Sequence, residues 1–201
     1  LDLGEPIGLA WTPDAGVYVA DAERGVVLRV DARGRAAATI GRGRLERPTG
    51  VAYDADRGRL YVADTKAHRI VVFDRDGAFV TAFGQRGTGD GELNFPTHLA
   101  WARDRLYVTD AVNARVQTFD ASGAYRGAIG RPGLYVGELS RPKGVAVDSA
   151  GHVLVVESLY AHLLVYDDAG RFLLGWGGTG ARPGEFHLPA GVWVDARDRI
   201  Y

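Results

Sequence analysis

The apolar residues of this chain fall in short runs that are separated by turns rich in Asp and Gly. Val, Ile, Tyr and Phe dominate these runs, and no window keeps an apolar residue at helical spacing. The pattern therefore predicts strands. The runs recur in a fixed order of four, and each set begins at a proline: Pro6, Pro48, Pro96, Pro142 and Pro189. The spacings of 42, 48, 46 and 47 residues indicate an internal repeat, and the repeat decides the fold.

Each repeat carries the signals of a four-stranded antiparallel sheet. Its second run ends in an acid, and its third run ends in Asp with Gly three residues later, as at Asp74 and Gly77. Asp supplies an acceptor at the first position of a tight turn and Gly tolerates a positive φ at the last, so this spacing predicts a hairpin. The large residues of the outer runs, such as Phe73, Phe119 and Trp176, are expected to fill the space between neighbouring sheets.

Sheets of four short antiparallel strands, repeated along a chain, are typical of β-propeller blades. The sequence predicts one all-β domain, a β-propeller spanning residues 1–201, with about four and a half blades. The predicted blades cover about 5–47, 48–93, 94–139 and 140–187, and 188–201 begins a fifth. The fifth stops within a predicted strand, so we expect the domain to be incomplete at its C-terminal end. An unpaired strand edge there would favour self-association of the chain.

The repeat resembles a known family. Four stretches together look like an NHL repeat: 48–54, 60–64, 68–74 and 79–84. The same stretches recur in order through nearly the whole chain. The resemblance implies a six-bladed propeller, of which this chain supplies part. Two departures from the family pattern occur in loops: the Asn-x-Arg motif is complete only at Asn113–Arg115, and His98 replaces the Gly that follows the proline in the third unit.

The NHL resemblance implies three classes of function. The first is a noncatalytic binding or assembly module that uses its rim loops, which join the second to the third strand and one blade to the next, to bind another protein. The second is an enzyme, because similar propellers include lyases and metal-dependent lactonases or esterases. The third is a module that binds single-stranded RNA. The resemblance also favours a periplasmic or extracellular location.

Charge and composition weigh against the last two classes. The chain has 24 Lys and Arg against 25 Asp and Glu, and acids are interleaved with bases in the rim loops, so nucleic acid is disfavoured as a partner. The 5 His residues have no metal-ligand spacing and Cys is absent, so we predict no catalytic residue, no metal site and no cofactor. No stretch approaches the roughly 20 apolar residues of a membrane span, and none is expected in this segment.

The rim loops contain aromatic residues that no strand pattern requires. Protein interfaces favour Tyr, Phe and Arg, although aromatic residues here could instead fold back as covers over the sheet ends. The loop from Gly130 to Pro142 is the first choice for a contact surface because of its apolar residues. The candidate binding residues are Phe95, His98, Leu134, Tyr135, Val136, Arg141, Lys143, Tyr160, Phe186 and His187.

An acid closes the second strand of each complete unit. These residues are Asp21, Asp64, Asp110 and Glu157. A ring of carboxylates could bind a cation, but Asp also stabilises turns through its side chain. Arg69 and Arg115 follow two of these acids by five residues and are expected to pair with them. We therefore interpret the acids and the two arginines as structural.

Overall fold

A computed structural model describes residues 2–13 and 16–201. These residues form sixteen strands in four antiparallel sheets, and in each sheet the strand order follows the sequence. The first two sheets contain β1 (Pro6–Thr12), β2 (Gly16–Asp21), β3 (Val26–Val30), β4 (Ala36–Ile40), β5 (Pro48–Asp54), β6 (Arg59–Asp64), β7 (Arg69–Asp74) and β8 (Phe79–Phe83). The other two contain β9 (Pro96–Ala102), β10 (Arg105–Asp110), β11 (Arg115–Phe119), β12 (Tyr125–Ile129), β13 (Pro142–Val147), β14 (Val153–Glu157), β15 (His162–Tyr166) and β16 (Phe172–Gly177).

This architecture confirms the predicted all-β class and the four-stranded blades. The only helical element among the described residues is a 3₁₀ turn at Thr65–Ala67. None of the described helical residues forms a helix long and apolar enough to cross a membrane. Residues 188–201 form a short hairpin, in which Val194 and Ile200 make an isolated antiparallel bridge.

The predicted hairpin turns are present between the third and fourth strands. In the second sheet, Gly77 N–H donates to the Asp74 carbonyl oxygen at 3.1 Å, and Asp74 Oδ1 accepts from Asp76 N–H and Ala78 N–H. The same turn follows Asp31, Asp120 and Asp167. The Asp side chain thus satisfies the backbone donors of the turn while Gly takes the positive φ.

The chain divides into two compact units, residues 1–101 and 102–201. The core of the first unit joins two sheets, because Tyr18 and Val27 of the first sheet pack with Val51, Leu60 and Phe73 of the second. First strands of successive sheets also approach closely. A Cβ atom at Gly50 would lie 2.2 Å from the Thr97 carbonyl oxygen. Glycine is therefore required at this position for the backbones to pack.

The second unit repeats this arrangement. Leu154, Val156 and Leu163 of the fourth sheet form a cluster on which Val192 and Val194 of the terminal hairpin pack, and Gly144 N–H donates to the Ala190 carbonyl oxygen at 2.9 Å. One expectation about the outer residues is corrected. Phe73 and Phe119 are buried, but Trp176 is exposed, because the position of a residue in the repeat does not determine what packs against it; its ring contacts Phe186 at the edge of the cluster.

Candidate binding surface

Three connecting loops share one backbone scaffold. They span residues 84–96, 130–142 and 177–189 and align without a gap. In each loop the tenth residue donates its N–H to the carbonyl oxygen of the second residue at 2.8 Å, and its own carbonyl accepts from the N–H of the fourth residue at 3.0–3.2 Å. The tenth residues are Leu93, Leu139 and Phe186. Their apolar side chains anchor the loops, because Leu93 and Leu139 are buried and Phe186 packs on the neighbouring cluster.

A glutamate at the ninth position stabilises each of these loops from within. In the 130–142 loop, Glu138 Oε2 accepts from Tyr135 N–H at 3.1 Å, and Glu138 Oε1 pairs with the Arg131 guanidinium at 3.0 Å. Glu92 and Glu185 accept from the equivalent backbone N–H groups in their own loops, at 2.9 Å in both cases. The hydrogen bonds hold the tip of each loop in a defined conformation without help from the tip side chains.

The loop tips differ in chemistry. The three tip residues are Thr88-Gly89-Asp90 in the first loop and Ala181-Arg182-Pro183 in the third. In the 130–142 loop they are Leu134, Tyr135 and Val136, whose exposed fractions are 71%, 81% and 64%. The core does not require these three side chains, since the same scaffold forms elsewhere with polar or small residues. We call residues 134–136 the apolar tip.

A cavity of about 560 Å³ lies beneath the apolar tip. Tyr135, Val136 and the Arg131–Glu138 pair line one side, and Phe172 of β16 lines the other. The sequence pattern did not single out Arg131, Glu138 or Phe172 as binding residues. Gly-Glu, which recurs before the anchor residue of all three loops, was the available signal for the shared scaffold.

A hydrogen bond joins the 130–142 loop to the fourth sheet next to this cavity. Tyr166 of β15 donates its hydroxyl hydrogen to the Gly137 carbonyl oxygen at 3.1 Å. Burial raises the pKa of Tyr166, with Glu157 adding to the rise, so the hydroxyl remains a donor at neutral pH. A Cβ atom at Gly137 would meet the Phe172 ring at 2.7 Å. The tip is therefore supported from below by β15 and β16.

Glu157 brings two further candidate residues together. Its Oε1 accepts from Arg141 N–H at 2.7 Å and its Oε2 accepts from Tyr160 N–H at 2.8 Å. The Arg141 and Tyr160 side chains are exposed. Lys143 is half-buried, and its carbonyl oxygen accepts from the Thr109 hydroxyl at 2.7 Å. These residues extend the loop surface beyond the apolar tip.

The remaining candidates are placed differently. Phe95 packs against the His68 ring with centroids 4.5 Å apart, and its N–H donates to His68 Nδ1 at 3.1 Å. His98 Nδ1 lies 3.2 Å from the neighbouring Thr97 hydroxyl. Phe186 packs on Trp176, with centroids 5.8 Å apart, whereas the His187 side chain is exposed. Phe95 and Phe186 thus each pack against a neighbouring ring.

The four loop acids use their carboxylates to hold loops. Asp64 Oδ1 accepts from Glu46 N–H and Arg47 N–H, and its Oδ2 pairs with the Arg69 guanidinium at 3.1 Å. Asp110 pairs with Arg115 at 2.9 Å. Within the described residues, no group of three or more His, Asp or Glu side chains could hold a metal ion.

Asp21 provides a test of this role through pH. Burial raises the pKa of Asp21, but the N–H groups of Gly4, Arg24 and Glu5 and the nearby Arg24 guanidinium outweigh burial and hold the pKa below its ordinary value. A carboxyl with a lowered pKa in the folded state contributes stability above its unfolded pKa, and loses that contribution as the pH falls through the folded value. We expect the melting temperature of the unmodified chain to decrease below about pH 4. The melting temperature of Asp21→Asn should decrease less steeply over the same range. Melting curves between about pH 2 and 6 check this, and equal slopes would contradict it.

Two positive rim residues of the first unit also make contacts within it. Arg47 pairs with Glu5 at 3.0 Å, and the Arg44 guanidinium lies 4.0 Å above the centroid of the Phe79 ring. Arg47 and Arg44 are therefore held within the first unit by an acid and by an aromatic ring.

Comparison with known proteins identifies the repeat. The NHL repeat family matches residues 45–73. Protein brain tumor of Drosophila melanogaster is 30% identical over 115 residues, which are 57% of this chain and 11% of that protein. RING finger protein nhl-1 of Caenorhabditis elegans is 40% identical over 74 residues, which are 34% of this chain and 8% of that protein. The chain thus matches only a small part of these much longer relatives.

Solved structures share the fold. A nidogen/laminin complex aligns with a TM-score of 0.75 and 23% identity over 95% of this chain and 69% of that chain. Virginiamycin B lyase from Staphylococcus aureus aligns with a TM-score of 0.72 and 13% identity, covering 98% and 62% of the two chains. A Xanthomonas campestris gluconolactonase aligns with a TM-score of 0.74 and 18% identity, covering 99% and 69%. At these identities the likeness extends to the fold alone.

The repeat match, the four-stranded antiparallel sheets and the propeller folds of the similar structures agree with one another. The chain therefore contains an NHL repeat at residues 45–73 within a fold of β-propeller blades.

Proposed function

We propose that this chain is a noncatalytic protein-binding module and that the 130–142 loop is its contact surface. The observation that carries the proposal is the apolar tip, Leu134, Tyr135 and Val136. These side chains are exposed on a loop whose two counterparts, built on the same hydrogen bonds, carry no such group. Exposed apolar groups that folding does not require mark interaction sites on soluble proteins.

The loop is suited to binding because its conformation is already fixed. Glu138 and Leu139 hold the backbone of the tip, and the tip side chains are free to contact a partner. Binding then orders few additional groups, which lowers its entropic cost. Each large apolar side chain that a partner buries fully stabilises a complex by about 1.5–3 kcal/mol. Arg141 and Tyr160 would add a polar and aromatic margin of the kind found around interface centres.

The test replaces the apolar tip with the tip of the first loop. A variant with Leu134→Thr, Tyr135→Gly and Val136→Asp keeps Glu138 and Leu139 and adopts the sequence that the 84–96 loop carries on the same scaffold. We expect binding to weaken at least tenfold, or about 1.4 kcal/mol, with an unchanged melting temperature. Quantitative mass spectrometry of proteins retained by the immobilised chain identifies a partner, and titration of that purified partner gives the affinities.

Two single variants sharpen the experiment. Tyr135→Ala removes the most exposed tip side chain and is expected to account for much of the loss. Val80→Ala removes an exposed apolar side chain from β8, outside the loop, and is expected to bind as the unmodified chain does. Equal affinity of the tip variant and the unmodified chain for the purified partner would dismiss the loop as the contact surface.

A further inference from the structure

The four loops that join a second strand to a third strand have the same length and differ at one exposed position. They span residues 22–25, 65–68, 111–114 and 158–161, and each ends in a residue with a φ between 52° and 61°. The second residue of the loop is charged in the first unit, as Glu23 and Lys66. In the second unit it is Val112 or Leu159, which are 61% and 45% exposed. Charged residues form the same loop, so the fold does not require these two apolar side chains.

Arg141 and Lys143 lie between the two apolar loops. The Lys143 carbonyl oxygen accepts from the hydroxyl of Thr109, two residues before the third of these loops, at 2.7 Å. On the other side, the Arg141 carbonyl oxygen accepts from the N–H of Ser158, the first residue of the fourth loop, at 3.1 Å. The Arg141 side chain is exposed and the Lys143 side chain is half-buried. Two bases are therefore placed between two exposed apolar loop tips.

The charge of these two bases is not balanced within the described part of the chain. Among residues 2–13 and 16–201, no carboxylate forms an ion pair with Arg141 or Lys143. The acids of the surrounding loops already accept hydrogen bonds from other groups: Asp110, Glu138 and Glu157. This part of the surface is therefore positive, and it is complementary to a negatively charged group.

The first unit shows what such a base binds. Arg47 and Arg141 both precede the proline that begins a first strand, and the acid of the adjoining loop holds the N–H of each. The Arg47 guanidinium pairs at 3.0 Å with Glu5, which holds the same position one repeat earlier. In the repeats before and after Arg141 this position is apolar: Phe95 and Leu188. The described residues thus give Arg141 no carboxylate of the kind that its counterpart has.

We propose that the partner bound at this surface is an acidic peptide segment. Its carboxylate side chains pair with Arg141 and Lys143, and its apolar side chains pack on Val112 and Leu159. The partner is the one of the proposed function, on which this inference rests, and the same segment also contacts the apolar tip. It supplies to Arg141 the carboxylate that Glu5 supplies to Arg47.

Two other anionic partners fit these residues less well. Single-stranded nucleic acid binds by stacking its bases on aromatic rings, whereas Val112 and Leu159 are aliphatic. An anionic membrane attracts basic residues that reach its surface, whereas Lys143 is half-buried beside two exposed loop tips. The side chain of a peptide can enter between the loops and reach this ammonium group.

Peptide selection tests the charge of the partner. A display library of random linear peptides is selected on the immobilised unmodified chain, and we expect the enriched peptides to combine Asp or Glu with apolar residues. One enriched peptide is synthesised with a fluorescent label and titrated by fluorescence anisotropy. Arg141→Glu should bind this peptide at least tenfold more weakly. Arg33→Glu makes the same charge change in the exposed turn after β3 and should bind as the unmodified chain does.

A charge exchange shows whether the two charges meet. The same peptide with its acids replaced by Lys should bind Arg141→Glu more tightly than it binds the unmodified chain, and the opposite order would overturn the inference. Enrichment of no peptide, or of peptides without acids, would overturn it as well. So would tighter binding of random single-stranded RNA, or of vesicles that contain phosphatidylserine, than of the selected peptide.

The apolar tip separates this inference from the proposed function. If Arg141→Glu keeps full affinity while Tyr135→Ala loses it, the acidic segment is wrong and the 130–142 loop remains the contact surface. If neither variant changes the affinity, both proposals are wrong. Far-ultraviolet circular dichroism confirms that each variant is folded, so that a loss of affinity reports on the surface.

Discussion

Replacing Gly50 with Ala is expected to lower the free energy of unfolding by about 3 kcal/mol, at the upper end for an overpacked site. Gly50 lies in β5, where a Cβ atom would sit 2.2 Å from the Thr97 carbonyl oxygen. Thr97 belongs to β9, and its carbonyl also accepts from the Thr49 hydroxyl at 2.9 Å. The clash is with backbone, so no side-chain rotation relieves it, and the first strands must separate. Urea unfolding followed by tryptophan fluorescence measures the loss.

The terminal hairpin offers a matched control for Gly50→Ala. Gly191 holds the same position in its repeat, two residues after a proline, and a Cβ atom there would meet nothing within 4 Å. Neither glycine has a positive φ. Gly191→Ala should therefore change the free energy of unfolding by less than about 0.5 kcal/mol. Equal effects of the two substitutions would show that the loss at Gly50 does not arise from close approach of the strands.

The repeat made most of the fold predictable from sequence. Short apolar runs separated by Asp-x-x-Gly turns specify hairpins locally, because the turn geometry depends on the side chain of one Asp and the φ of one Gly. Asp74 and Gly77 make this turn in the second sheet. Periodicity then assigns the same structure to every unit. Local signals of this kind do not depend on which sheets are neighbours, and so they can be interpreted without coordinates.

Exposure was harder to predict. Trp176 stands where Phe83 and Ile129 stand in their own units, and its size and position predict that it fills the space between sheets. Whether such a residue is covered depends on what packs against its sheet, which repeat position does not determine. The cavity beneath the apolar tip was also hard to predict from sequence. Phe172 and Arg131 are far apart in sequence, and they line one cavity only when the loop folds over β16.

The sequence pointed to the candidate loop through its apolar residues alone, without a comparison with the two equivalent loops. Leu134, Tyr135 and Val136 were noticed as apolar residues outside any strand pattern. The two equivalent loops, whose hydrogen bonds match but whose tips are polar or small, show more clearly that the scaffold does not require these apolar residues. Gly-Glu before each anchor residue aligns the loops, so the sequence held this comparison. The structure was needed to show that the same backbone hydrogen bonds form in all three loops, whatever the tip residues are.

Asp64→Ala is expected to cost about 3 kcal/mol, because each buried backbone N–H group that loses its acceptor costs about 1–3 kcal/mol. The Asp64 side chain is fully buried, and it accepts from the N–H groups of Glu46 and Arg47 at 2.9 and 3.0 Å as well as from Arg69. Alanine leaves these two donors unsatisfied, removes the partner of the guanidinium and frees the loop that enters β5. Asp64→Asn keeps an acceptor for the N–H groups while losing the charge, so it should be intermediate. Urea unfolding at neutral pH measures the free energy of unfolding of the unmodified chain, Asp64→Ala and Asp64→Asn.

Asp31 supplies the comparison that separates burial from hydrogen bonding. Its carboxylate also accepts from two backbone N–H groups, those of Arg33 and Arg35, and pairs with the Arg35 guanidinium at 2.8 Å. The Asp31 side chain is 30% exposed, however, and water can replace it at a surface turn. Asp31→Ala should therefore destabilise the chain much less than Asp64→Ala. If the two losses were equal, the Asp64 carboxylate would act as an ordinary turn residue, and the acids that close each second strand would not be what holds the rim loops in place.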